Sequence, residues 1–169
     1  MRYEELVTPR GLGASDDQIR TLAAFAEVSE LPSEYVDLLR FANGSQPIHD
    51  RLRVETVRGV VDTNIERFFA SDRQDYSAMS HTDDLRRQAR LVRTALAIAG
   101  DYDGNCLLLS LETQTFGAVL FWDHEQGDKE PSPGDSIADF PNQIVSFFPS
   151  IRELLAAFRP DDHWPDDSW

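Results

Sequence analysis

The sequence predicts an α+β fold, in which a mostly antiparallel β-sheet is flanked by helices within a single domain. Three observations support this prediction. Two amphipathic helical patterns lie within the first fifty residues, short apolar runs bounded by turn residues lie between residues 95 and 147, and another helical pattern begins near residue 150. The chain has 169 residues and contains neither a repeat nor a linker, which fits one domain.

The first two helices have clear start and stop signals. Ser15 and Gln18 form the S-x-x-Q capping box that opens a helix. The second helix follows Pro32, which suits the first turn of a helix, and Gly44 helps to end it because glycine accepts the left-handed conformation. Its apolar stripe consists of Tyr35, Leu38, Leu39 and Ala42.

The segment from residue 51 to residue 93 has a mixed pattern. Residues 51–62 alternate in part and predict one or two strands, whereas residues 64–69 fit a helical turn. Residues 70–81 are polar and predict a loop, and residues 83–92 place apolar side chains on one side of a helix.

A hairpin is predicted in the second half of the chain. Residues 95–99 form a short apolar strand, and residues 105–111 and 116–122 are two further strands joined by turn residues. The two longer runs should therefore pair with each other.

The C-terminal part contains a loop, a strand, a helix and a tail. Residues 123–136 are charged and rich in Pro and Gly, residues 143–147 predict a strand, and the last helix starts next to Ser150. We expect residues 1–160 to form the domain and residues 161–169, which contain four Asp and two Trp, to form an acidic tail.

The formal net charge of −14 is unevenly distributed. Residues 101–139 contain nine acidic residues and one basic residue, Lys129. Such a chain repels the phosphate backbone, so we expect no direct binding of nucleic acid. The charge favours a basic protein partner, although an acidic surface can also serve solubility alone.

The sequence also lacks the features of secreted and membrane proteins. The first residues, MRYEELVTPRGLG, contain no apolar signal-peptide core, and no apolar run approaches the ~18 residues of a membrane span. The single cysteine, Cys106, excludes an internal disulfide. We therefore expect a soluble cytoplasmic protein that contacts no membrane.

The stretch GDYDGNCLLLSLE partly matches a calcium-binding loop. Asp101, Asp103, Asn105 and Glu112 fall at positions one, three, five and twelve of the EF-hand template. That template needs Gly at its sixth position, where this chain has Cys106, and the apolar run that follows predicts a strand. Along a strand Glu112 would lie about 23 Å from Asn105 and could not share an ion with it. We therefore expect a turn that feeds a strand, with no metal or cofactor.

The ends of the predicted hairpin form a candidate partner-binding site. In an antiparallel hairpin the start of the first strand and the end of the second are adjacent, so four carboxylates should cluster at one end of the sheet. Two aromatic residues accompany them and could supply the contacts typical of interface hot spots. The site comprises Asp101, Tyr102, Asp103, Trp122, Asp123 and Glu125.

Several of these residues also have a purely structural interpretation. Asp101 and Asp103 can organise a turn, and Trp122 can face the core, as aromatic residues in strands commonly do. His124 lies between two acids and fits a solvated surface residue. The residues alone leave both interpretations open.

No enzyme motif is present. The sequence contains no G-x-x-x-x-G-K, H-E-x-x-H, C-x-x-C or G-x-S-x-G. Cys106 precedes LLLSL and fits a small buried hydrophobe rather than a nucleophile. Asp123, His124 and Glu125 would converge poorly on a metal, because neighbouring residues of a strand point to opposite faces. We predict that the protein is not an enzyme, and a metal-dependent enzyme is the weakest alternative.

Three segments, taken together and in this order, resemble the SMI1/KNR4, or SUKH, superfamily. LPSEYVDLLRFANGSQP is similar to a segment of that family with the pattern LP-x-x-Y…NG. IAGDYDGNCLLLSLETQTFGAVLFWDHE is similar to its acidic glycine turn and following strands, which end in an aromatic-Asp-His-Glu group, and PSIRELLAAF is similar to its terminal helix. Many members carry Asp after the glycine of the turn, where this chain has Asn105, and residues 51–93 show no such resemblance.

The resemblance implies a compact α+β domain that acts by binding rather than by catalysis. Bacterial members are commonly cytoplasmic immunity proteins that occlude a toxin, often a nuclease, of a contact-dependent or polymorphic toxin system. Fungal members are regulatory interaction proteins. The resemblance and the charge together predict an immunity protein that binds a basic toxin, with a regulatory or scaffolding module unrelated to toxins as the alternative.

Overall fold

The fold combines one antiparallel sheet with four α-helices, as the sequence predicts. The computed structural model describes residues 2–72, 76–88, 90–126, 130–132, 134–141 and 143–160, apart from the side chain of residue 146. The strands are Val7–Pro9 (β1), Ser45–Pro47 (β2), Arg51–Thr56 (β3), Gly59–Phe68 (β4), Ala95–Asp101 (β5), Cys106–Ser110 (β6), Val119–Trp122 (β7) and Ile144–Phe148 (β8). The α-helices are Asp16–Phe25 (α1), Ser33–Phe41 (α2), Ala78–Arg87 (α3) and Ile151–Ala157 (α4), and the 3-10 helices are Tyr3–Glu5 and Ile137–Asp139.

Seven of the eight described strands follow the order β1-β2-β4-β5-β6-β7-β8, and the eighth, β3, pairs with β4 as a hairpin. The inner half of β4 belongs to the main sheet, because Ile65 pairs with Asp101 and Phe68 pairs with Ala99. The outer half, which begins at Gly59, pairs with β3 alone among the described strands. The tip of the β3–β4 hairpin therefore extends beyond the residues of β4 that pair with β5.

The core lies on both faces of the central strands. All side chains of β6 and β7 are buried, which explains why their sequences are continuous apolar runs rather than alternating patterns. Helix α3 packs against β5, α4 packs against β8 and α2, and β3 lies against β8. No helix in the described part of the chain combines the length and apolar character that a bilayer crossing requires.

Local signals place the first two helices and the β6–β7 hairpin where the sequence predicts them. The Ser15 hydroxyl accepts a hydrogen bond from the Gln18 backbone at 3.3 Å, and the Gln18 side chain accepts one from the Ser15 backbone at 2.8 Å. Gly44 has a φ of +87° between α2 and β2, a conformation that glycine adopts without strain. The last helix has Ser150 as its N-cap.

Three predictions for the middle of the chain are wrong. Residues 64–69 do not form a helical turn, because β4 continues to Phe68 and its pairing with β5 outweighs the local pattern. Helix α3 starts at Ala78 and ends at Arg87, so residues 78–81 are not a loop and the helix does not extend to residue 92. Its start is fixed by Ser77, whose hydroxyl accepts from the Ser80 backbone at 3.1 Å in a capping box with Ser in place of Glu or Gln.

Tyr35 provides a test of the core. Its hydroxyl is buried without a hydrogen-bond partner among the described residues, and burial raises the pKa of the phenol. Tyr35→Phe removes an unsatisfied polar atom, so we expect the free energy of unfolding to remain within about 1 kcal/mol of the native value or to rise. Leu39→Ala in the same helix should cost about 3 kcal/mol. Urea unfolding followed by circular dichroism measures both, and a loss above about 2 kcal/mol for Tyr35→Phe would contradict this account.

Candidate functional site

The pairing of β6 with its neighbours brings most of the predicted site to one end of the sheet. Cys106 pairs with Gly100 on one side and with Trp122 on the other, so the β5–β6 turn lies beside the end of β7. Asp103, Asp123 and Glu125 line one hollow of about 360 Å³, named here the acidic hollow. Three of the four predicted carboxylates therefore share a surface.

Asp101, the fourth carboxylate, is directed into the protein. Only 7% of the residue is exposed. Its Oδ1 accepts hydrogen bonds from the backbone of Asp103 at 2.9 Å and of Asn105 at 2.8 Å, and its Oδ2 accepts from Asn105 Nδ2 at 2.8 Å and from Thr63 Oγ1 at 2.7 Å. The carboxylate fixes the turn and ties it to β4, so Asp101 offers no surface to a partner.

Asn105 extends this network to the end of β7. Its Oδ1 accepts from the His124 backbone at 3.0 Å and lies 2.8 Å from His124 Nδ1. Because Asn105 Nδ2 already donates to Asp101, its oxygen must face His124, and Nδ1 of the imidazole is then the donor. An aspartate at position 105 would bring a second carboxylate against Asp101, so the asparagine suits this particular network.

An arginine also contacts His124 and Trp122. Arg90 donates to the His124 carbonyl at 2.8 Å, and its guanidinium lies 4.9 Å from the Trp122 ring centroid. His124 is half-buried and bonded, so its prediction as a solvated surface residue is wrong. Trp122 is 1% exposed and belongs to the core, which removes it from the predicted partner-binding surface.

Tyr102 remains the exposed aromatic residue of the predicted site. It is 68% exposed and lies next to Asp103, which is also exposed. The backbone on both sides of Tyr102 is anchored, because Asp101 accepts from the amides of Asp103 and Asn105. The turn therefore presents a phenol ring and a carboxylate from a fixed frame.

The β3–β4 hairpin contributes the other wall of the acidic hollow. Arg58 in its turn forms an ion pair with Glu125, with Nη1 and Oε2 3.1 Å apart. Asp62 also lines the hollow, and hydrogen bonds from Arg53 and Arg51 lower the pKa of its carboxyl. Four carboxylates and one guanidinium thus line the acidic hollow among the described residues.

Cys106 at this end of the sheet and Glu112 beyond the other end of β6 have structural roles. Cys106 is buried as predicted, and burial raises the pKa of its thiol to about 12, so the thiol stays protonated at neutral pH. The Glu112 carboxylate accepts from the Ile137 backbone at 2.6 Å and from Thr94 at 3.0 Å, and so joins two loops. In the described ranges, no three His, Cys, Asp or Glu side chains are placed to hold a metal ion.

The fold and this site define the class as a small α+β domain with an acidic hollow at one end of an antiparallel sheet. A family model described as SMI1 / KNR4 family (SUKH-1) matches residues 13–155, which is most of the chain. The protein therefore belongs to the SMI1/KNR4 family, and the match also covers residues 51–93, where the sequence shows no resemblance by eye. A search of curated proteins gave no significant match.

Asn105→Asp tests the network around Asp101. The change removes the Nδ2 donor and faces one carboxylate with another, so we expect the free energy of unfolding at pH 7 to fall by roughly 2 kcal/mol or more. At about pH 4 this loss of unfolding free energy should be smaller, because the new carboxyl at position 105 can again donate a hydrogen bond to Asp101 once it is protonated. Denaturant unfolding at the two pH values measures the effect. Asp103→Asn is the control, with an expected change within about 0.5 kcal/mol, and equal stability of both variants would contradict the network.

Proposed function

We propose that this protein is an immunity-type protein, which neutralises a basic toxin by binding and occluding it. The family match supports this proposal, because the resemblance to SMI1/KNR4 proteins implies binding and because bacterial members commonly serve as immunity proteins. The observation that carries the docking site is the acidic hollow, where Asp103, Asp123 and Glu125 lie near Arg58. Asp62, the fourth carboxylate of the lining, is already paired with Arg51 and Arg53. The protein acts in the cytoplasm, where it meets its partner.

The exposed part of the site has the composition of a docking surface. Tyr102, Asp103 and Glu125 are exposed and Asp123 is half-buried, and the aromatic ring belongs to the residue next to Asp103 in the chain. The hydrogen bonds of Asp101 hold the turn that carries two of these residues. A surface fixed before binding loses less conformational entropy on association, which favours affinity.

Charge explains why the partner is expected to be basic. The protein carries a net charge of −14, and opposite charge accelerates encounter between proteins. A nuclease is one such partner, because the groove in which a nuclease binds the phosphate backbone of its nucleic acid substrate is basic. The acidic hollow would then compete with nucleic acid for the same groove.

Co-expression with the products of neighbouring genes tests this function. We expect one neighbouring product to arrest growth, and we expect this protein to restore growth and to co-purify with that product in a fixed ratio. A stable complex with a partner that does not impair growth would instead indicate a regulatory or scaffolding module, and would contradict the proposed immunity function.

Neutralising the exposed carboxylates tests the docking site. The triple change Asp103→Asn, Asp123→Asn and Glu125→Gln should lower the association rate with the basic partner about tenfold at low ionic strength, since steering depends on local charge. The difference should shrink at about 0.5 M salt, where charges are screened. Stopped-flow fluorescence measures the rate.

The control for this experiment has the same net charge. It carries Glu4→Gln, Glu30→Gln and Asp37→Asn, three exposed acids that do not line the acidic hollow. Its association rate should fall much less, and equal rates for the two triple variants would show that docking occurs elsewhere.

Arg58 gives a prediction of opposite sign. Its ion pair with Glu125 occupies part of the acidic hollow, and both side chains are mostly exposed, so a partner's cation can compete for the same carboxylate. Arg58→Gln should therefore tighten binding of the basic partner by about threefold to tenfold. Arg20→Gln is the matched control, since Arg20 is an exposed arginine paired with Asp17 outside the hollow. Isothermal titration calorimetry measures both, and weaker binding by Arg58→Gln would mean that Arg58 itself contacts the partner.

A further inference from the structure

A second and larger hollow lies next to the turn of the β3–β4 hairpin. Its volume is about 630 Å³, and Thr56 lines both this hollow, named here the apolar groove, and the acidic hollow. The groove is bounded by the hairpin turn, by β7 and β8, and by the segment around the second 3-10 helix. Its apolar walls include Val57, Leu120, Ile137, Pro141, Ile144 and Phe147.

Large apolar side chains remain exposed along this groove. Phe147 is 55% exposed and Val57 is 52% exposed, and both line the groove. In the same hairpin Val60 is exposed outside the groove, and the exposed Val61 lines the acidic hollow. Monomeric proteins rarely concentrate exposed apolar side chains in one region, and such patches commonly mark interaction sites. The cluster combines the tip of the hairpin with β8, the last strand in the order of the sheet.

The charges around the groove indicate what kind of segment can enter it. Of the described residues that line it, Glu55 and Glu112 are acidic and none is basic. The acidic hollow follows directly beyond Thr56. An apolar side chain in the groove would therefore lie next to the carboxylates of the acidic hollow, which favours basic residues close to it in the same segment. A second copy of this chain is disfavoured as occupant, because two molecules of net charge −14 repel each other.

We propose that the apolar groove binds an aliphatic or aromatic side chain of the partner, while neighbouring arginine or lysine residues of the same segment dock in the acidic hollow. This inference rests on the proposed function and specifies its partner chemistry. Charge steers the segment and the groove anchors it, since a few residues that fill well-packed pockets carry most of the binding energy in many interfaces.

Two capped pentapeptides test the proposal on the full chain. One has the sequence RLRLR and the other RSRSR, so they share their charge and differ in their apolar side chains. We expect RLRLR to bind about tenfold more tightly by calorimetry, and to shift the backbone NMR signals of Val57, Leu120 and Phe147 as well as those of the acidic hollow. RSRSR should shift the signals of the acidic hollow alone.

Variants assign the difference to the groove. Phe147→Ser and, independently, Val57→Ser in the exposed turn should each reduce the preference for RLRLR to less than about threefold. Leu12→Ser, a change of an exposed apolar residue that does not line the groove, should keep it. Equal binding of the two peptides with signals shifted only at Asp103 and Glu125 would overturn the groove and leave the acidic docking site standing. Failure of both peptides to bind would overturn both the apolar groove and the acidic docking site as binding sites.

Discussion

The structure of the sheet end that carries the acidic hollow depends on one buried carboxylate. Asp101 accepts four hydrogen bonds, and these bonds join the β5–β6 turn to itself, to Asn105 and to Thr63 of β4. Asn105 passes the connection to His124, whose carbonyl accepts from Arg90. Without the carboxylate, several donors would be left unsatisfied in a buried position, and each such group costs about 1–3 kcal/mol.

Two acidic residues that are close in sequence, Asp101 and Asp103, have different roles in this network. Asp101 ends β5 with its side chain inside, whereas Asp103 lies two residues further, in the turn, with its side chain in solvent. The first holds the backbone, and the second is free to meet a charged partner. A carboxylate that is fully engaged by donors is unavailable for binding, so only the outer acids define the surface, and they do so on a frame that does not have to reorganise.

The features that can be predicted from the sequence are those that depend on residues close to one another in the chain. The capping box at Ser15, the β6–β7 hairpin and the meeting of its two ends all follow from residue types a few positions apart, and the structure confirms them. Contacts between distant segments could not be predicted in this way. Arg58 reaches Glu125 across 67 positions, and Thr63 reaches Asp101 across 38. The prediction for His124 is wrong because its partners, Asn105 and Arg90, become its neighbours only in the folded chain.

The β3–β4 hairpin combines a half that is fixed by the sheet with a half that is largely exposed. Its inner half is fixed by the pairing of β4 with β5 and by the bond from Thr63 to Asp101. Its tip lines both hollows with largely exposed side chains, and in the described residues no other strand pairs with that outer half. Substitutions at Val57 or Arg58 therefore change the lining of the two hollows and leave the core and the turn network intact. The structural frame and the exposed surface of the two hollows are thus separable within a single hairpin.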